Sequence, residues 1–418
     1  MPNRVVVTGL GPVTPIGVGK DAFWKALAAG KSGVRNVEDL VDLTGINVKI
    51  GGPVDGFDPL DYIEAKKSRR LDRSAQFALA ATKLALQDAS IDLASCDLER
   101  FGVVAGTGIG GMETFADNFR ILMEKGPRRV SPFFVTRLMP NAIGGEISIE
   151  HGLKGPNFGV VSACASSTHA IGLATKLIQS GDLDCAIAGG SEAVLLTITY
   201  AGFARMGALS ARNDNPQGAS RPFDKNRDGF VMGEGGGMLV LESYEHAMAR
   251  GAKIYAAIDG FGMSADACHI TSPIETGAGA AQSMGMALRS AGLAPQDIDY
   301  INAHGTSTPP NDKVETNGIK LALGERASQI KISSTKSQLG HLLGAAGGVE
   351  AIATILSMEH GIIPATLNLE TPDPDCDLDY TLTRVEHPIH VALSNSFGFG
   401  GQNASLLFQA VDKIQASS

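Results

Sequence analysis

"VVSACASSTHAIGLA" (residues 160–174) runs from an apolar pair, through a string of small residues, into helical spacing. Apolar positions recur at Ala170, Leu173, Ala174, Leu177 and Ile178, and Gly181 closes the run. The stretch reads as strand, short elbow, helix, with Cys164 at the elbow. Far downstream, "SSTKSQLGHLLGAAGGVEAIATIL" (residues 333–356) follows the same plan: a strand ending at Ser333, a polar elbow and a helix of small residues. Two copies of one unit suggest a duplicated αβ architecture, with halves over 1–252 and 253–418.

The rest of the chain fits an α/β layering. Strands are expected over 4–10, 101–105, 159–162, 185–189, 237–241, 255–262, 300–303, 330–333 and 391–394, and helices between them include 74–89 and 280–291. Several strand candidates are continuous apolar runs, which marks strands covered on both faces. At 418 residues the chain exceeds one ordinary core. Charged residues make up 19% and hydrophobic ones 44%, a globular balance. The 51 glycines imply many tight turns and close backbone approaches. The polar tail over 411–418 is expected to fray.

Composition also excludes. A net charge of −9 argues against nucleic acid as a partner. No apolar run approaches the ~18 residues of a membrane span. The opening MPNRVVVTGLG lacks the apolar core of a signal peptide. The cysteines, Cys96, Cys164, Cys185, Cys268 and Cys376, are odd in number and form no CxxC pair, so neither a disulfide framework nor a thiolate zinc site is expected. A cytoplasmic location is the simplest fit.

Cys164 at a helix N-terminus would meet unpaired N–H groups and the positive end of the helix dipole, which favour a thiolate and can hold an oxyanion. Alone, the stretch reads better as a small buried hydrophobe, which is what most free cysteines are. Three further stretches shift the balance. "YINAHGTSTPPND" (300–312) ends a strand at His304 on a rigid polar loop. "STKSQLGHLLGAAGGVEA" (334–351) places Lys336 and His341 about a glycine elbow, with Glu350 beyond. "LSNSFGFGGQNASLLF" (393–408) alternates Phe397 and Phe399 with glycines after a strand, which would let the Phe399 amide approach a reacting carbonyl. A thiol and two imidazoles, each at a strand end, follow the logic of covalent acyl transfer.

These motifs resemble those of the β-ketoacyl-acyl-carrier-protein synthases, most closely the synthase II type, over essentially the whole chain from "VVVTGLGPVTPIG" to "SNSFGFGGQN". The carriers are "ACASS" at Cys164, "NAHGTSTPPND" at His304, "STKSQLGHLLGAAG" at Lys336 and His341, and "SFGFGG" at Phe399. Pro310 and Gln402 depart from the residues usual in the family. The resemblance implies a thiolase-like αβαβα fold of two similar halves, acting as a homodimer. Cys164 would take an acyl group from the phosphopantetheine arm of acyl carrier protein. His304 and His341 would promote decarboxylation of the malonyl-carrier protein, and Lys336 would hold and tune His341. The amides of Cys164 and Phe399 would form the oxyanion hole. Thr306 and Thr308 would hold the pantetheine arm. Ile109, Phe397 and the partner copy's counterpart of Phe134 would shape the acyl pocket. No other cofactor is implied, apart from a monovalent cation at Asn302, Glu350, Ser394 and Asn395.

"GTGIGG" (106–111) matches a dinucleotide fingerprint, but no acidic residue ends a second strand about 20 residues on, so it reads as a close-packed loop. The basic run Lys66, Lys67, Arg69, Arg70 and Arg73, with Arg128 and Arg129, could dock an acidic carrier protein; a solvated helix face is the plainer reading. Rivals are separable. A thiolase needs a second cysteine near the C-terminal loop, which "NSFGFGGQN" lacks. A synthase III type pairs Cys and His with Asn. A non-catalytic chain-length partner would lack the nucleophile. That non-catalytic subunit is the runner-up from a different class, and a polyketide-type condensing enzyme is the other alternative.

Overall fold

A computed structural model describes residues 3–411. All of the expected tail but Val411 lies outside them. Ten strands form one hydrogen-bonded path: β1 (Val5–Thr14), β2 (Phe101–Gly106), β3 (Asn157–Val160), β4 (Cys185–Glu192), β5 (Gly235–Ser243), β6 (Ala256–Ala265), β7 (Tyr300–Asn302), β8 (Lys331–Ser333), β9 (Val391–Gly398) and β10 (Gln402–Ala410). The order is β8-β7-β9-β10-β6-β1-β5-β4-β2-β3.

That order contains the duplication. Numbered within each half, both read 3-2-4-5-1. In the first, β2 is parallel to β3 and β4, and β5 is antiparallel to β4 and β1. In the second, β7 is parallel to β8 and β9, and β10 is antiparallel to β9 and β6. The halves meet where β1 pairs with β6, Val6 opposite Ala257 and Val7 opposite Ala256.

Five helices complete the layers: α1 (Arg73–Asp88), α2 (Ser166–Gln179), α3 (Ala278–Ala291), α4 (Pro309–Leu323) and α5 (Ala346–His360). Helices α2 and α5 lie between the two sheet halves. Every residue from Ala346 to Met358 is buried, as an all-round apolar helix requires. Helix α1 covers the outer face of the first half, and α3 with α4 that of the second. Three cores result: Ile171, Ala174, Val349 and Ile352 between the sheets, Phe77, Ala78 and Ala81 outside the first, and Met284, Leu288 and Ile319 outside the second. This is the αβαβα, thiolase-like layering.

Helix α3 stops at Gly292, which is left-handed at φ 66. Two strand expectations need correction. Strand β3 ends at Val160 rather than Ser162, because the Ser162 amide turns to the Ser166 hydroxyl at 2.9 Å. Strand β10 was not expected: its run reads as the continuation of a glycine turn, yet it forms the hairpin partner of β9.

Candidate active site

Beyond β3 a single 3-10 turn, Ala163–Ala165, carries Cys164 into α2. Beyond His341 a matching turn, Leu343–Ala345, leads into α5. Ala163 and Leu343 have φ 49 and 47, left-handed values that non-glycine residues resist. Gly344 therefore stands in the second elbow where Cys164 stands in the first. The sequence echo was of whole segments; the structure aligns it residue by residue.

The β9–β10 hairpin closes over the first elbow, with Gly398 opposite Gln402 and Phe399 at its tip. A Cβ on Gly398 would lie 2.8 Å from Ser162 O and 3.1 Å from Cys164 N, so glycine there permits the approach. The Phe399 amide lies beside the Cys164 thiol and favours the charged form of the sulfur.

His304 and His341 arrive from the second half. The Cys164 sulfur and one ring nitrogen of each imidazole all lie within 4.8 Å of one another. The rings meet edge to face, centroids 5.3 Å apart. Phe397 flanks His304 and Phe230 flanks His341. His341 Nδ1 accepts the Leu343 amide at 3.2 Å, which leaves the hydrogen of a neutral ring on Nε2. Among the described residues, that buried Nε2 has no hydrogen-bond partner.

Lys336 differs from expectation. Its ammonium donates to the His304 carbonyl at 2.6 Å, lies 3.3 Å from His304 Nδ1, and pairs with Glu350. It holds His304, not His341, because β7 and β8 run parallel side by side and so bring together the residues that follow them; on His341 its influence is one of charge alone. Glu315, unremarked in the sequence, accepts the amides of His304 at 2.8 Å and Gly305 at 2.7 Å. A signal was present: Glu315, Ile319 and Leu323 share one helical face, so the carboxylate points inward.

Burial dominates the electrostatics. It holds His304 and His341 well below the ordinary histidine range, helped by the Lys336 charge. It pushes Glu315 up to about 7. It also pushes the Cys164 thiol up to about 11, although Lys336 and the Phe399 amide pull the other way. The thiolate expected from the helix N-terminus is therefore corrected: desolvation outweighs the dipole, and the resting group is the thiol.

These groups open on a cavity of about 380 Å³ lined by Ile109, Phe203, Met206, Phe230, Leu343, Phe397 and Phe399, with Thr306 and Thr308 also on its wall. The two threonine hydroxyls lie 2.9 Å apart. Phe203, Met206 and Phe230 were not anticipated; they sit in segments without a motif. Phe134 does not line this cavity of its own chain. The "GTGIGG" loop packs on α2: a Cβ at Gly106 would lie 2.6 Å from the Ser167 amide.

The basic residues divide. Lys67 is committed to Glu146 and Glu150, and Arg73 to Glu234, whereas Lys66, Arg69, Arg70, Arg128 and Arg129 are exposed. In the interior, Asn302 sits beside Ser394 in the β7–β9 register. Among the described residues, Asn302 Oδ1 and Ser394 Oγ are buried without partners, and Asn302 Nδ2 donates to the Glu350 carbonyl. Asn395 Oδ1 instead accepts from Ser405.

A buried thiol facing two neutral imidazoles under a backbone amide is an arrangement for acyl transfer, and sequence comparison supplies the class. The pattern described as "Beta-ketoacyl synthase, N-terminal domain" matches residues 2–247, and that of the C-terminal domain matches 255–370. The chain belongs to the β-ketoacyl synthase family. It is 49% identical to 3-oxoacyl-[acyl-carrier-protein] synthase 2 of Vibrio cholerae, over 97% of this chain and 99% of that one. It is 48% identical to the Synechocystis protein of the same name, over 97% and 98%. A solved type II polyketide synthase acyl-carrier protein in complex with its ketosynthase bound to the hexaketide aligns with TM-score 0.90 at 37% identity, covering 99% of this chain and 100% of that one.

Proposed function

We propose that the protein catalyses decarboxylative Claisen condensation of an acyl-enzyme with malonyl-acyl-carrier protein, giving 3-oxoacyl-carrier protein, the elongation step of type II fatty acid synthesis. The observation that carries this reading is the convergence of Cys164, His304 and His341 within 4.8 Å on an apolar cavity. The two relatives named synthase 2 favour fatty acid elongation over polyketide assembly.

Cys164 Sγ attacks the acyl thioester carbonyl. The Cys164 and Phe399 amides hold the oxyanion, and the departing pantetheine sulfur takes up the thiol proton. Ile109, Phe203, Phe230 and Phe397 receive the acyl chain. The malonyl-carrier protein then enters along Thr306 and Thr308. Nε2–H of His304 and of His341 donate to its thioester oxygen. CO2 leaves with no base required, because the breaking C–C bond supplies the electron pair, and the enolate attacks the acyl-Cys164 carbonyl. The Cys164 sulfur departs and is reprotonated. Neutral imidazoles suit this role, since a donor is needed rather than a proton acceptor. Lys336, with Glu350, holds His304 in place.

The carrier protein brings the pantetheine arm, and no separate cofactor takes part. The exposed cations Lys66, Arg69, Arg70, Arg128 and Arg129 are its docking residues, and Lys67 shapes their surface from its ion pairs. The complex of a structural neighbour with its carrier protein supports such docking. The exposed Phe119, Met123, Phe133, Val135, Phe158 and Val161, all between residues 119 and 161, with Phe158 on edge strand β3 and Val161 just beyond it, form the surface of a homodimer that also brings a second Phe134 toward the pocket. Asn302, Ser394 and Glu350 fit a monovalent cation. Their oxygens include two buried orphans, which a hard ion would satisfy, while Asn395 Oδ1 already accepts from Ser405. Such an ion would neutralise charge beneath β7 and β9. A cytoplasmic location accords with these substrates; among the described residues no helix is long and apolar enough to cross a membrane.

The test is direct. Purified protein given acyl- and malonyl-carrier protein should release CO2 and form 3-oxoacyl-carrier protein, and Cys164→Ser should form none. Equal product from the Cys164→Ser variant would overturn the reading.

A further inference from the structure

Glu192 ends β4 and is fully buried. No step above uses it, and no sequence motif marks it. Among the described residues it has no cation beside it, and four donors converge on it. Oε1 accepts the Thr107 hydroxyl at 2.9 Å and the Ile109 amide at 3.2 Å. Oε2 accepts the Gly108 amide at 2.6 Å and the Gly344 amide at 2.9 Å.

The donors belong to two walls of the cavity. Thr107, Gly108 and Ile109 form the loop that puts the Ile109 side chain into the acyl space, and Thr107 in turn receives the Gly110 amide at 3.1 Å. Gly344 lies in the second elbow. Its neighbour Leu343 also lines the cavity and gives the amide that fixes His341 Nδ1. The Gly344 carbonyl is held from the other side by the Ser167 hydroxyl of α2. The duplication explains the arrangement. Gly344 is the counterpart of Cys164, and the amide that its copy offers to an oxyanion is offered here to a carboxyl group of the protein itself. One elbow is left open for chemistry and the other is fastened.

We propose that Glu192 is a positioning residue that fastens the acyl-pocket loop to the His341 elbow, so that chain-length selection at Ile109 and the decarboxylating geometry of His341 depend on one carboxylate. This deepens the condensing-enzyme reading and rests on it. A rigid clamp makes the loop resist displacement by a long acyl chain. It also keeps Leu343, and through it the His341 Nε2–H, aimed at the malonyl thioester.

Glu192→Gln keeps the shape but sets an amide N–H2 against backbone N–H donors whichever way it turns: those of Gly108 and Gly344 on one side, or that of Ile109 beside the Thr107 hydroxyl on the other. Acylation of Cys164 by primers of two to sixteen carbons and malonyl-carrier-protein decarboxylation are measured for wild type and variant. The expected result is acylation by the shortest primers within about threefold of wild type, with the long-to-short ratio shifted and decarboxylation lowered, each by about tenfold, the scale of a broken buried hydrogen bond. Thr107→Val removes one donor while leaving the charge, and should shift both quantities the same way by less. It decides the matter alone if Glu192→Gln does not fold. A uniform fall at every chain length and in both half-reactions, or no change in either, overturns the proposal and leaves Glu192 a support of the fold. If wild type neither acylates nor decarboxylates, the condensing-enzyme reading itself fails.

Discussion

Gly398→Ala isolates the Phe399 amide. The new Cβ would sit 2.8 Å from Ser162 O and 3.1 Å from Cys164 N. Both neighbours are backbone atoms of a tight turn, so the hairpin tip must give way. Relief to ordinary contact requires a retreat of about 0.5 Å or more. A donor near 2.9 Å from an oxyanion then moves to about 3.5 Å, beyond useful hydrogen bonding. Loss of one oxyanion donor costs about 10²–10³ in kcat. The His304 and His341 donors stand on separate segments of the same half, and the atoms nearest the new Cβ belong to Ser162, Cys164 and Ala165 instead. Acylation of Cys164 and overall condensation should therefore fall about a hundredfold, while decarboxylation of malonyl-carrier protein stays within about threefold of wild type. Stopped-flow acylation and CO2 release measure the two separately. Acylation at the wild-type rate, or decarboxylation falling in step with it, would refute the assignment of the Phe399 amide to the acyl carbonyl.

Alkylation of Cys164 by iodoacetamide, followed on its peptide, should rise about tenfold per pH unit from neutrality toward the raised value of about 11; a plateau below about pH 8 would mean a thiolate paired with imidazolium. Because His304 and His341 are depressed, both stay neutral from about pH 8 to 6, so decarboxylation should be flat across that range and fall only on further acidification. The same depression makes the unfolded state bind more protons, so the stability contributed by these rings is present above about 6.5, the unfolded value, and is lost as pH falls below it; thermal melts against pH check this. His341→Ala should depress decarboxylation while acyl transfer to Cys164 survives in part, and the reverse pattern would exchange the roles. Ile109→Phe should keep the shortest primers and lose medium and long ones, since overpacking costs about 1–3 kcal/mol, or roughly a tenfold to hundredfold change in preference; a uniform fall would place the pocket floor elsewhere.

What could be read from the sequence was what local pattern encodes. The apolar run before Cys164 and the small-residue helices marked both elbows, and those elbows decide the layering. What could not be read depends on contacts between distant segments. Lys336 lies five residues from His341, yet the fold gives it to His304. Glu192 carries no periodic signal, and only the meeting of the two halves surrounds it with donors. The protonation of Cys164 was misjudged for the same reason: a helix N-terminus is visible in sequence, but the depth of burial that overrides it is not. Strand β10 was missed because its short apolar run "LLF" carries no alternation and follows directly on a glycine turn.

The central claim is that Cys164 alone carries the acyl group between two substrates. Wild-type protein incubated with acyl-carrier protein and digested should show one thioester, on the peptide containing Cys164, with Cys96, Cys185, Cys268 and Cys376 unmodified. Addition of malonyl-carrier protein should discharge that thioester with stoichiometric release of CO2. A thioester on another cysteine, or an acyl-Cys164 that malonyl-carrier protein leaves intact, contradicts the account.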